Sequence, residues 1–174
     1  MFDLTQNYFQ LFGLEPAFDL DLNVLNQRYR AIQAQVHPDK FVGKHDQEQR
    51  LAVQFTSFVN AAYLCLKQLL ERAKYLLTLR KVEVNLDTQS HVDVDFLMTQ
   101  ITLREKLEAL SAHKNAESGV AELNNEIDQK LAALSGIFAH AYRSDQNHLA
   151  LDAVVKWQFL VKLQRDVSAF EESL

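Results

Sequence analysis

Glycine and proline are scarce in this sequence, at 4 and 2 residues, and no Val/Ile/Thr-rich alternating runs lie between turn signals. Sheets lack their usual punctuation here, which excludes a β-rich fold and points to an all-α protein. Cysteine occurs once, at Cys65. One thiol excludes an intramolecular disulfide or a thiolate metal cage built from a single chain, and its apolar helical setting marks it as buried and inert. No apolar run approaches the roughly 20 residues of a membrane span. The opening MFDLTQNYFQ lacks a basic start followed by an apolar stretch, so a cytosolic chain with no membrane contact is expected.

Clustered positive charge is also missing. The net charge is −5, with 9 basic and 8 acidic residues in 1–80 but 9 basic and 15 acidic in 81–174. Phosphate backbones require clustered Lys and Arg, so nucleic acid is excluded as a partner, and the imbalance suggests different partners for the two halves.

What the chain does have is apolar content, 48% of 174 residues, enough for one or two small cores but small for a multi-domain enzyme. Asn7 is placed to cap a short helix that Gly13 ends in the left-handed conformation. Asp21 then caps a second helix on which Leu22, Leu25, Tyr29, Ile32 and Val36 recur at three and four, with Arg28 and Arg30 on the opposite face. Pro38 disfavours helix at His37, so this helix stops near Val36 and a polar loop follows. Asp46 with Gln49 suggests a capping box for a long third helix, along which Leu51, Phe55, Phe58, Ala62, Leu66 and Leu69 trace one face. The second and third helices should form an antiparallel hairpin, with a further helical stretch around Arg72 to Leu77. Residues 81–92 lose the three-four rhythm, as a linker would. Three amphipathic stretches, 95–113, 117–143 and 147–172, are divided by short polar breaks and predict an antiparallel three-helix bundle.

The tetrapeptide His37-Pro38-Asp39-Lys40 lies between Tyr29-Arg30 on one helix and Arg72-Ala73-Lys74-Tyr75 on another. In that setting, residues 6–80 resemble a J-domain. Pro38 stiffens the turn, His37 orients it, and the Asp39 carboxylate is held outward, where a partner's arginine could donate charge-assisted hydrogen bonds. The resemblance implies that this loop, with Arg28, Tyr29, Arg30 and Lys40, engages a heat-shock ATPase chaperone of the HscA/DnaK class and stimulates its hydrolysis. The plainer alternative makes Asp39 a helix cap and the arginines solvated charges. A rival makes His37, Asp39 and His45 metal ligands, but the remaining histidines lack the i, i+4 pairing of a helical site.

J-domains serve many clients, so the second half must identify this one. On the helix 95–113, Phe96, Leu103, Leu107 and Leu110 fall in one sector at about 100° per residue, the expected buried stripe. Leu97, Met98 and Ile101 form a second apolar group on the other side, joined by Glu105. An exposed apolar patch with acidic neighbours marks a protein-binding surface, the alternative being burial against the first domain. The stretches Asp95-Phe96-Leu97-Met98 and Leu103-Arg104-Glu105, with Phe41 and Arg72 to Leu77, resemble HscB-type co-chaperones of iron-sulfur cluster assembly. This resemblance spans nearly the whole chain. It implies an L-shaped pairing of a J-domain (1–80) and a three-helix scaffold-binding domain (93–174) across a linker (81–92). It also implies an IscU-like iron-sulfur scaffold as the client, gripped by Leu97, Met98, Ile101, Glu105 and Phe159. By its spacing Phe159 falls equally well in a core stripe with Val155 and Leu163. The chain departs from the family pattern in carrying Thr102 where relatives have another acid, and in lacking a proline near Lys67-Gln68. A monomer needing no cofactor is expected, acting as a co-chaperone and not as an enzyme. The alternatives are a J-domain protein with another client and a helical adaptor that self-associates through the patch.

Overall fold

The computed structural model describes residues 3–36, 45–84, 94–111 and 116–173. These residues form seven helices and no strand: α1 (Tyr8–Leu11), α2 (Leu22–Val36), α3 (Asp46–Lys67), α4 (Leu69–Leu79), α5 (Val94–Ser111), α6 (Glu117–Arg143) and α7 (Asn147–Glu171). The chain divides into two compact units, Met1–Leu76 and Leu77–Leu174, the division falling within α4.

In the first unit, α1 is a single turn held by a reciprocal cap. Asn7 Oδ1 accepts from the Gln10 amide at 2.9 Å, and Gln10 Oε1 accepts from the Asn7 amide at 3.0 Å. Gly13 follows with φ of +58°, a conformation that strains any residue bearing a Cβ. Asp21 Oδ1 accepts from the Asn23 amide at 2.8 Å, capping α2 as the sequence indicates.

α2 and α3 run antiparallel, because their paired residues progress in opposite directions: Tyr63 donates to Asn26, Tyr29 to Asn60, and Thr56 to the Val36 carbonyl. The buried stripe of α3 is Ala52, Phe55, Val59, Ala62 and Leu66, at a strict three-four spacing. Of the residues expected on that stripe, Phe55, Ala62 and Leu66 are buried and Phe58 is half-buried; Leu51 is exposed, one residue before Ala52, and Leu69 is exposed beyond the end of α3, at the start of α4. Nor is Asp46 the N-cap. His45 takes that position without a side-chain bond, while Asp46 and Glu48 place negative charge in the first turn, where the helix dipole favours it.

The second unit is built on the α6–α7 pair. Val120, Leu123, Ile127, Leu134 and Phe138 of α6 meet Ala153, Val154, Trp157, Leu160 and Leu163 of α7 in a close-packed seam. α5 lies against both helices more lightly. Of its expected stripe only Leu103 is fully buried, while Phe96, Leu107 and Leu110 are half-buried. Leu110 reaches close to α6 because Gly119 carries no side chain; a Cβ there would overlap Leu110 Cδ2. Residues 77–84 belong to this unit through Arg80, whose guanidinium lies 3.5 Å over the Tyr142 ring, donates to Asn147 Oδ1 at 3.0 Å and pairs with Asp145 at 3.0 Å. The expected linker lies largely outside the described residues, from position 85 onward.

Candidate partner-binding surfaces

In the first unit, His37, Pro38, Asp39, Lys40 and Phe41 lie outside the described residues. The part of the expected chaperone-binding surface within them is α2, whose three named side chains are differently engaged. Arg28 is exposed, yet its Nη1 donates to the carbonyls of Phe12 and Gly13, so it closes the C-terminal end of α1. Tyr29 is half-buried and stacks on Tyr63 with ring centroids 3.9 Å apart; its hydroxyl donates to Asn60 Oδ1 at 3.0 Å and accepts from Gln33. Arg30 is exposed and makes no hydrogen bond or ion pair among the described residues. Of the two guanidiniums, Arg30 is the one at liberty to meet a partner with all its donors.

The stretch Arg72 to Leu77 holds the unit together. Arg72 is 3% exposed, donates through Nη1 to the Leu66 carbonyl at 2.9 Å and lies 5.5 Å from the Phe18 ring. Burial lowers its pKa, an effect opposed by the nearby Asp19 carboxylate. The bond satisfies a carbonyl left open where α3 stops, at the extended Gln68. Tyr75 stacks on Tyr8 at 4.4 Å and accepts the Tyr8 amide at 2.9 Å, fixing α1. Nearby, Cys65 is half-buried, less enclosed than its apolar setting in the sequence suggests; that burial is the main reason its thiol is pushed up to about 11, with the Glu71 charge adding to it.

In the second unit α5 is apolar on two sides. One side meets α6 and α7 through Phe96, Leu103, Leu107 and Leu110. On the other, Leu97, Met98 and Ile101 are 49%, 56% and 43% exposed, an unpartnered apolar face one helical turn deep. Val94, 73% exposed, extends this face by a further turn. It stands three, four and seven residues before Leu97, Met98 and Ile101, a spacing visible in the sequence but hidden by starting the helix at 95. Glu105 is exposed one turn beyond Ile101, with no partner among the described residues.

Phe159 of α7 is half-buried. Its ring meets Phe96 edge-on at 6.1 Å and 83°, and the Arg104 guanidinium lies 5.0 Å from its centroid. Lys156, paired with Asp152 at 2.9 Å, lies 5.6 Å from the Phe96 ring on the same side of the bundle. Phe159 therefore joins α5 to α7.

Among the described residues no group of three or more His, Cys, Asp or Glu could hold a metal ion, and no helix is long and apolar enough to cross a membrane. The rival metal ligands His37 and Asp39 lie outside these residues. The surfaces on hand suit protein contact: an apolar face with a carboxylate at its edge in one unit, a cationic helix face in the other.

Comparison with known proteins agrees. A family profile described as the HSCB C-terminal oligomerisation domain matches residues 92–168. The chain is 38% identical over 171 residues to the co-chaperone protein HscB homolog of Colwellia psychrerythraea, covering 97% of this chain and 98% of that protein. It is 37% identical over 168 residues to the co-chaperone protein HscB of Proteus mirabilis, covering 97% of each. Among solved structures, chaperone HscB from Vibrio cholerae superimposes with a TM-score of 0.87 at 33% identity, covering 97% of this chain and 99% of that one. Human co-chaperone protein HscB does so with a TM-score of 0.91 at 26% identity, covering 99% and 85%. At this identity over nearly its whole length, the chain belongs to the HscB co-chaperone family.

Proposed function

We propose that this co-chaperone acts as a tether in iron-sulfur protein maturation. Residues 93–174 hold the iron-sulfur scaffold, and residues 1–80 work as the J-domain that docks on an HscA/DnaK-class chaperone. Scaffold contact falls to Leu97, Met98 and Ile101 with Glu105 at the edge and Phe159 at the α7 margin. Chaperone contact falls to the loop His37-Pro38-Asp39-Lys40 with Arg30 beside it, and to Arg28 and Tyr29, which also position α1 and α3. Docking stimulates the chaperone's ATP hydrolysis in the cytoplasm, and the chain itself catalyses nothing. Because both proteins bind one chain, hydrolysis is coupled to capture of the client.

The observation that supports this reading best is the exposed apolar face of α5, opposite the face the helix uses for its own packing. Large apolar side chains grouped on one surface are what a protein partner covers. The test is a separation of phenotypes in the full chain. Asp39→Asn should abolish stimulation of the chaperone and leave scaffold affinity unchanged. A Leu97→Ala/Met98→Ala/Ile101→Ala variant should do the reverse. Loss of both properties in either variant would sink the division of labour.

A second reading is favoured by the description of the matched profile as an oligomerisation domain: the same face binds a second copy. Sedimentation velocity over a wide concentration range separates the two. The tether reading requires a monomer whose scaffold binding is independent of its own concentration.

A further inference from the structure

Arg104 stands out on α5 for what it leaves undone. It is exposed and makes no hydrogen bond or ion pair among the described residues. Glu108 is exposed one turn along the same helix, at the i+4 spacing where an Arg-Glu pair ordinarily forms, and the pair is not made. The guanidinium instead turns toward α7 and lies 5.0 Å from the centre of the Phe159 ring. Phe159 is itself wedged edge-on against Phe96. The arginine thus lies over an aromatic face with its N–H donors unspent.

Its position on the helix gives this meaning. At about 100° per residue, the seven residues from Leu97 bring Arg104 back to within about 20° of it. Glu105, by the same count, falls within about 20° of Met98. Both follow Ile101 along the helix, so the C-terminal end of the apolar face carries a free cation on its Leu97 side and a free anion on its Met98 side. An apolar patch alone has no direction, and a partner could lie on it either way. Opposite charges on its two margins reward one orientation and penalise the other. Because residues 81–174 carry 15 acidic and 9 basic residues, an unpaired guanidinium here is also a local exception that an acidic group on a partner would find.

We propose that Arg104, held over the Phe159 ring and without an internal acid, receives a carboxylate of the scaffold protein and so fixes the direction in which the scaffold lies along α5. This rests on the scaffold-binding reading of the same face. Arg104 is a specificity-determining residue; Phe159 positions it. The planar fork matters, since a carboxylate is held by two parallel N–H donors and a lysine offers only a point charge.

The experiment measures scaffold affinity for the full chain by titration calorimetry at ionic strengths from about 0.05 to 0.5 M, a range over which exposed charge pairs are progressively screened. Four variants are compared: Arg104→Met, Arg104→Gln, Arg104→Lys and the Leu97/Met98/Ile101 triple alanine. Methionine keeps apolar cover on Phe159 and removes the charge. The expected result is that Met and Gln each weaken binding about tenfold at low salt and flatten its salt dependence, with Lys between them and wild type. All three should melt as wild type does, because Arg104 is exposed. If Arg104→Met binds with wild-type affinity and salt slope while the triple variant is impaired, the arginine is only a cover for Phe159 and the proposal is overturned with the α5 reading intact. If the triple variant binds normally, the α5 reading itself fails and the proposal falls with it.

Discussion

Two sets of side chains on a single helix should respond oppositely to truncation. Leu97, Met98 and Ile101 are about half exposed, whereas Leu103, a turn or two along, is 1% exposed. Cutting a surface side chain changes stability by about 0.5 kcal/mol or less, so the triple alanine variant should lose on the order of 1 kcal/mol in total. Emptying the Leu103 site removes buried apolar atoms and leaves a cavity, which costs about 2–5 kcal/mol. Binding should rank the other way. If the three exposed residues are the central anchors of an interface, each contributes about 1–2 kcal/mol. Together they would lower scaffold affinity by roughly two to four powers of ten, at about 1.4 kcal/mol per power. Leu103→Ala, assayed under conditions where it is folded, should bind far better than the triple variant. Urea unfolding followed by circular dichroism gives the stabilities, with equal denaturant slopes required for comparison, and titration calorimetry gives the affinities. Equal stability losses in the two variants would mean that the exposed face is packed in solution. Wild-type affinity in the triple variant would mean that the scaffold binds elsewhere.

Other perturbations test the first unit and the seating of α5. Arg30→Ala should leave the melting temperature unchanged and weaken chaperone stimulation, since Arg30 has no internal partner. Arg28→Ala should also lower stability by about 1 kcal/mol, because it removes the donors to the Phe12 and Gly13 carbonyls; identical behaviour of the two in thermal melts would refute this distinction. The Cys65 thiol, raised from 9.0 to about 11, should alkylate about a hundredfold more slowly at pH 8 in the native chain than in urea. Because the folded value lies above the unfolded one, its contribution to stability is complete below pH 9.0 and is lost as pH climbs toward about 11; a flat stability profile across that window would count against burial of the thiol. Gly119→Ala sets a helix-propensity gain of about 1 kcal/mol against overlap with the end of the half-buried Leu110 side chain, so Leu110→Ala should cost less in the Gly119→Ala chain than in wild type, and additive losses in the double-mutant cycle would refute the contact.

Much of this was legible in the sequence because the signals are local. Asn7, Gly13 and Asp21 announce the ends of short helices, and the three-four spacing of apolar residues announces the long ones. The α5 face was also legible, since both apolar groups follow from counting along one helix. What the sequence concealed depends on distant neighbours or on register. Leu51 and Phe58 read as core residues, yet α3 buries their neighbours Ala52 and Val59 instead, and Leu69 falls beyond the break at Gln68, in α4. Alanine carries a weak apolar signal but is what a close helix contact accommodates. Asp46 reads as a cap because its residue type is right, and only the observed start of α3 moves that position to His45. Arg28 reads as surface charge, and its second task depends on the return of α2 past the end of α1, which no local pattern encodes. Phe159 read equally well as core or interface, and its half-buried place between α5 and α7 depends on the packing of two helices that no local pattern encodes.

The tether account is tested most directly by steady-state ATP hydrolysis of the HscA/DnaK-class chaperone with this chain present, with and without the iron-sulfur scaffold, for wild type and Asp39→Asn. The account requires wild type to stimulate hydrolysis, the scaffold to raise that stimulation beyond the sum of the separate effects, and Asp39→Asn to abolish both. Full stimulation by Asp39→Asn would remove the J-domain loop from the mechanism. Stimulation by wild type that ignores the scaffold would show that this chain couples the chaperone to a different client.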